Sequence, residues 1–426
     1  MFAPPSGETN VMPSPSRLPP PGRTRTVEVH SRDARLSRGL SGTNLERAGD
    51  YNLRTVLQVI RLHRETTRIA IANQTGLTPP TIANITGRLT EMGLIRTAGR
   101  LHQGRGQPAL KIELCPDGAF GIGLTIDRDH LAIAILDLAG AVRARATREI
   151  GFASPDGVLA FIRDTLDTAL AEGGVDRTRV VGVGVAMPDG VDRSLPNQTQ
   201  GYDAWVGVDL ETLLTPLLPW PIHRDNDAAA AALGEAQYDQ DFECPSFFYL
   251  LITAGLGGGL IIDRNYHRGA HRRSGEIGLM PDPTAGRPGA VVQDTVSIAG
   301  LQVRLAAAGY TLESPETLGE RDDPGLAAVL DQWVVDSIAS LTQPFVAVTT
   351  LFDPHAILIG GRLPPEILRR LAEGLDQAIG GIELPARPVI RPAHTAQDAP
   401  SIGAAMLPFM DRLLPSDSIL IQAGRG

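Results

Sequence analysis

Cysteine is nearly missing from this chain of 426 residues: Cys115 and Cys244 are the only two. Two distant thiols exclude a disulfide framework and a multi-cysteine zinc site, and they suit a reducing, cytoplasmic compartment. Lysine is rarer still, with Lys111 alone among 39 basic residues. Also missing is any uninterrupted apolar run of the ~18 residues that a membrane-spanning helix needs. The most apolar stretch, Phe247 to Ile262, is broken by four glycines and reads as buried strands. The start, Met-Phe-Ala-Pro-Pro, has no charged segment followed by an apolar core, so no secretory signal is expected. The 46 glycines and 33 prolines follow no fixed period, which excludes collagen. What remains, 42% hydrophobic and 20% charged residues, suits a globular chain of about two to four domains.

Acidic residues are scarce in one region in particular. Between Arg54 and Lys111 only Glu65 and Glu91 occur. Residues 1–114 carry 16 basic and 8 acidic side chains, whereas the whole chain has a net charge of −9. A basic segment on an acidic body suggests that only the first part meets a polyanion.

Residues 1–44, rich in Pro, Ser, Gly and Arg, read as a disordered arm. From Leu45 the pattern turns helical, with Leu53, Val56, Leu57, Ile60 and Leu62 on one face. Ile69 to Thr75 forms a short second helix that Gly76 stops. Thr78 and Pro79 open a third, with Ile82, Ile85, Leu89 and Met92 inward and Gly93 at its end. Leu94-Ile95-Arg96 and Leu110 to Leu114 read as two strands around a basic loop, residues 97–108. Helix, helix, turn, helix and a two-stranded wing make residues 45–115 a winged helix-turn-helix. Its third helix is expected in the major groove of double-stranded DNA, with Pro80, Thr81, Asn84 and Arg88 outward and Thr86 a weaker candidate. Thr81 suits a thymine methyl, Asn84 adenine, and Arg88 guanine or phosphate. In the wing, Arg100, Arg105 and Gln107 are the expected contacts, Arg105 between two glycines having the form of a minor-groove probe.

The rest alternates strands and helices, an α/β architecture. Gly121–Asp127 turns and returns as Leu131–Gly140; Phe247–Thr253 does the same through Gly255–Gly259 into Leu260–Asp263. Two such units suggest a duplicated lobe, 116–225 and 226–426, with the last helix returning to the first lobe. Val180–Ala186 and His355–Gly361 read as further buried strands, and a helix runs from Asp227 to Glu235.

These segments together resemble the ROK family (repressors, open reading frames, kinases), in its regulator branch, over about residues 45–410. The motifs are Gly-Arg-Gly-Gln-Pro in the wing, Asn226-Asp227-Ala228 leading to Gly234-Glu235, Ala254 to Gly259, Gly275-Glu276-Ile277-Gly278, and Asp353-Pro354 before Gly360-Gly361. The resemblance implies a two-lobed, actin-like (duplicated ribonuclease H-like) sugar-kinase fold with a sugar site between the lobes. Asp227 matches the family's catalytic aspartate; Asn226 and Glu276 match groups that bind sugar hydroxyls. Trp205 is expected in the core rather than as a stacking platform.

Kinases of the family carry an aspartate and then Gly-Gly-Thr-Lys at the first hairpin. Here Thr125 and then Asp127-Arg128-Asp129-His130 stand there, without the magnesium-orienting carboxylate or the phosphate-cradling glycines. The family's zinc-binding histidine is replaced by Leu279, and no cysteine follows it. The expected protein is therefore a DNA-binding regulator, a repressor of carbohydrate-related genes. It needs no cofactor, metal or membrane, has no catalytic residue, works as a homodimer or larger homo-oligomer, and answers to a sugar or polyol. A sugar kinase, or a regulator whose cleft has lost its ligand, are the alternatives.

Overall fold

Leu53, Val56, Leu57 and Ile60 fall one and two turns apart, and burying that stripe defines helix α1 (Leu45–Leu62). The computed structural model describes residues 45–415 apart from 64, 102–108, 189–201, 239–243, 272, 313, 320–321 and 396–397. After α1 come β1 (Thr66–Thr67), α2 (Arg68–Thr75), α3 (Pro79–Glu91), β2 (Ile95–Leu101) and β3 (Ala109–Leu114). Gly76, with φ of 70°, ends α2 in the left-handed conformation that glycine adopts without strain. Pro79 opens α3 as expected, but Thr78 bonds Thr81 Oγ1 instead of capping the helix. Leu62 and Met92, expected inward, are exposed. Both lie at helix ends, where the apolar stripe has rotated past the packed face. The small strand β1, unforeseen, adds Thr66 and Thr67 to the edge of β3 and makes the wing three-stranded.

The body contains two five-stranded sheets. The first is built from β4 (Phe120–Ile126), β5 (His130–Asp137), β6 (Val142–Glu149), β7 (Val180–Ala186) and β8 (Ile222–Asp225), with α4 (Pro155–Glu172) and α5 (Leu210–Leu214) between strands. Then α6 (Asp227–Tyr238) leads to β9 (Phe247–Ile252), β10 (Leu256–Ile262), β11 (Asn265–Tyr266), α7 (Val292–Thr295), α8 (Ile298–Ala307) and α9 (Pro324–Phe352). β12 (Ala356–Gly361), α10 (Pro365–Gly380), β13 (Val389–Pro392) and α11 (Ala399–Arg412) complete the chain's described elements. The sheet orders are β6-β5-β4-β7-β8 and β11-β10-β9-β12-β13. In each, three antiparallel strands are followed by two parallel ones, so the strand order itself is duplicated.

The Gly255–Gly259 stretch, expected as a turn, is mostly strand β10. Its glycines serve packing: a methyl group on Gly259 would sit 2.5 Å from the carbonyl oxygen of Ala228 in α6. By length and composition α9 could cross a bilayer, but Leu326, Trp333, Leu341 and Phe345 bury one face of it in the core of the second sheet. Trp205 lies in the core of the first sheet, where its Nε1 donates to the carbonyl of Ala153 at 2.7 Å.

Helix α11 is wedged between the two halves. A β-carbon on Gly123 would overlap the carbonyl of Ser401, one on Gly184 that of Ala404, and one on Gly403 that of Ala230. Backbone meets backbone on both sides, so this helix has no room to slide toward either neighbour.

Candidate functional site

On α3 the buried Ile82, Ile85 and Leu89 fix which face turns outward. Pro80, Asn84 and Arg88 are exposed on that face, and Thr81 is half-buried beside them. Thr86 is buried instead. Its hydroxyl donates to the carbonyl of Ile82 at 2.8 Å and accepts from Arg68 Nε at 3.0 Å, tying α2 to α3. The reason is simple: position 86 follows the inward Ile85 and Ile82 on the same turn. Arg100 stands in β2 opposite Leu110, while Arg105 and Gln107 lie outside the described residues. Lys111 is held by Glu65 and Glu113, and Glu113 also takes Arg96 at 3.3 Å, so these wing cations are already paired with carboxylates.

Between the two sheets lies a cavity lined by Thr125 at the end of β4, Asp127 in the following turn, His130 at the start of β5, Asp227 at the start of α6, and Thr253, Arg362 and Ser401. Its volume is about 10 Å³, the room that one water molecule requires. Of the three residues expected to bind effector, Asp227 alone lines it. Asn226 uses its side-chain oxygen to accept the backbone N–H groups of Ala228 and Ala229, at 3.0 and 3.1 Å, and so caps α6. Glu276 is half-buried at the head of the short turn Ile277–Leu279, away from this lining.

Sequence reasoning missed the most conspicuous group here. Arg362 follows the glycine pair that ends β12 and is only 3% exposed. Its guanidinium reaches across to the first sheet, donating to both oxygens of Glu149 at 2.6 Å and to Asp129 at 3.0 Å. His130 Nδ1 stands 2.7 Å from Glu149, and Glu316 lies 4.0 Å from Arg362 Nε. Burial pushes the Asp129 carboxyl above its ordinary range, with Asp127 and Glu149 adding to the effect and Arg362 opposing it. Burial also works against ionisation of Glu149, but His130 and Arg362 outweigh it and hold that carboxyl below its ordinary range. The one signal in the sequence was an arginine at a glycine turn. Its partners stand 213 and 233 positions away, beyond the reach of any local pattern.

The cleft is joined to the winged helix through α11. Ser401 in its first turn lines the cavity, while Met406, Phe409, Leu413 and Leu414 share one hydrophobic core with Val56, Ile60, Ile82 and Leu89. Arg61 of α1, buried, donates to the carbonyl of Leu138 at 3.0 Å and reaches Met406 Sδ at 3.8 Å. Burial lowers its pKa to about 10, with Asp137 acting in the other direction.

Residues 121–409 match the sequence profile of the ROK family, and residues 50–96 that of a winged helix-turn-helix DNA-binding domain. The chain belongs to the ROK family. It is 30% identical over 365 residues to the uncharacterized protein y4fQ of Sinorhizobium fredii NGR234, covering 84% of this chain and 90% of that one. It is 19% identical over 368 residues to the xylose repressor of Bacillus subtilis 168, covering 84% and 94%. A crystal structure of a ROK family transcriptional regulator, homologous to the MLC protein of E. coli, superimposes with a TM-score of 0.61. That match covers 89% of this chain and all of that one at 22% identity, and shows the shared fold. The ROK body and winged helix expected from the sequence are thus both present.

Proposed function

We propose that this ROK protein is a transcriptional regulator that binds double-stranded DNA through α3 and the wing, as a homo-oligomer, and responds to a sugar or polyol between its two sheets. The observation that carries this is α11, which has one end in the cavity and the other in the core of the winged helix. A ligand that changes how the halves meet changes the seat of α11, and thereby the stability of one winged-helix placement against another. Asp227, Asn226 and Glu276 are the effector groups; Pro80, Thr81, Asn84 and Arg88, with Arg100, Arg105 and Gln107 of the wing, are the DNA groups. Phosphotransfer is not part of the proposed activity: the first hairpin carries Asp127 and Asp129 in place of phosphate-cradling glycines, and two carboxylates there would repel a nucleotide's phosphates. The sugar repressor among the relatives supports repression as the sense of the response.

The test begins with thermal unfolding of the full chain in the presence of sugars and polyols, since a true ligand at a hundredfold excess over its Kd adds ~2.7 kcal/mol. DNA selected by the protein from a random pool then supplies a probe for anisotropy titrations with and without that ligand. Glu276→Ala is expected to lower effector affinity by about 1.5–3 kcal/mol and to leave ligand-free DNA binding unchanged. Loss of DNA binding by a folded Glu276→Ala protein would make Glu276 structural and overturn the effector assignment.

A further inference from the structure

We infer that Thr125, Asp127 and Arg362 form a subsite for one uncharged hydroxyl of the ligand, so that the effector is a polyol bearing no phosphate. The inference rests on the effector reading above and adds to it the chemical class of the ligand.

Three polar atoms around the same cavity lack a hydrogen-bond partner: Thr125 Oγ1, Asp127 Oδ2 and Arg362 Nε. Their side chains belong to residues only 6%, 4% and 3% exposed. Buried polar groups almost always find partners, because an unsatisfied one keeps its full desolvation penalty. Three around one space therefore define a guest by what it must offer. It has to accept a hydrogen bond from Arg362 Nε–H and supply a proton to Asp127 Oδ2. It also has to exchange a hydrogen bond in either direction with the hydroxyl of Thr125. One hydroxyl group does all of this, and the space is that of one water molecule.

A phosphate fails the requirement set by Asp127, which needs a proton from its guest. Its ionised oxygens only accept, and Asp127 and Asp227 both present carboxylates to it. The remaining guanidinium nitrogens of Arg362 are taken by Asp129 and Glu149. At about 10 Å³ the cavity has no room for a whole sugar, so a hydroxyl enters as the halves part, and water takes its place when the ligand leaves.

Calorimetric titration of the full chain with D-glucose, D-xylose, D-mannitol and D-glucose 6-phosphate tests this. A neutral compound should bind, and glucose 6-phosphate should bind at least ~10-fold more weakly than it, as for the loss of a hydrogen bond to a charged acceptor. Asp127→Asn and Thr125→Val should each weaken the neutral compound, Asp127→Asn by ~10-fold, whereas Thr125→Ser should restore near-normal affinity. Circular dichroism melting shows which variants are folded, and Thr125→Ser against Thr125→Val keeps the test decisive if Asp127→Asn fails. If a neutral compound binds all of these variants equally, the cavity holds only water; the subsite is then wrong while the effector reading stands. Tighter binding of the phosphate ester overturns the subsite as well. If none of the compounds binds, the effector reading falls and the subsite falls with it.

Discussion

The two five-stranded sheets repeat one strand order, but their opening hairpins have gone separate ways. In the first sheet the turn between β4 and β5 is Asp127-Arg128-Asp129, and its Asp129 carboxylate is tied to Arg362 of the other half. In the second the turn between β9 and β10 is Thr253-Ala254-Gly255, where a side chain on Gly255 would meet open space. Of the glycines that follow it, Gly257 and Gly259 allow close approach to α6, and Gly258 allows close approach to Phe248 and Gly275. A duplicated scaffold has thus kept its hydrogen-bonding order while one hairpin became an ionic clasp and the other a packing surface. The backbone ladder tolerates such divergence because the turn residues lie outside it.

The sharpest way to break this comparison is where α11 meets its neighbours, β7 on one side and α6 on the other. Gly184→Ala and Gly403→Ala each drive a methyl into a backbone carbonyl and should cost more than about 3 kcal/mol or prevent folding. Gly255→Ala, facing open space, should change the melting temperature little. Equal tolerance at all three positions would mean that α11 is not wedged.

A smaller effect is expected at the clasp. Arg362→Met should cost about 2 kcal/mol in urea unfolding, below the ~3–5 kcal/mol of a fully buried pair because the Glu149 side chain is 40% exposed. The acid limb separates the two carboxylates. Glu149 is held below its ordinary range, so its contribution is present above about pH 4.3 and lost as pH falls through the lower folded value. Asp129 is raised, so protonating it favours the fold as pH falls. Glu149→Gln should therefore flatten the acid unfolding profile and Asp129→Asn steepen it.

The smallest change should come at the DNA face, away from both halves. Arg88→Ala should leave stability intact and reduce the slope of log affinity against log salt by about 1, as for one lost phosphate contact. An unchanged slope in anisotropy titrations would take Arg88 off the phosphate backbone.

What could be read from the sequence follows the range of the forces. Val180–Ala186 was legible to the residue, because a valine–glycine run buried on both faces has no other comfortable conformation. Strand β6 was not. Val142-Arg-Ala-Arg-Ala-Thr-Arg-Glu149 carries small and charged residues on a sheet edge, where little burial marks it. The glycines of β10 were mistaken for a turn because a missing side chain serves a sharp bend and a close helix equally well. Asp227, expected in the cleft, lines the cavity between the sheets, but Arg362 and Glu149 are partners only in the folded chain.

The shared core has a consequence for the order of assembly. The winged helix is synthesised first, yet the hydrophobic surface under α1 and α3 is completed by Met406, Phe409, Leu413 and Leu414 near the other end of the chain. Until those residues have left the ribosome, Val56 and Ile60 lack part of their cover, and the earliest domain made is among the last to be finished. A nascent or truncated chain therefore reaches DNA with an incomplete reading head. Completion of the winged helix is thereby coupled to folding of the body that holds the cleft.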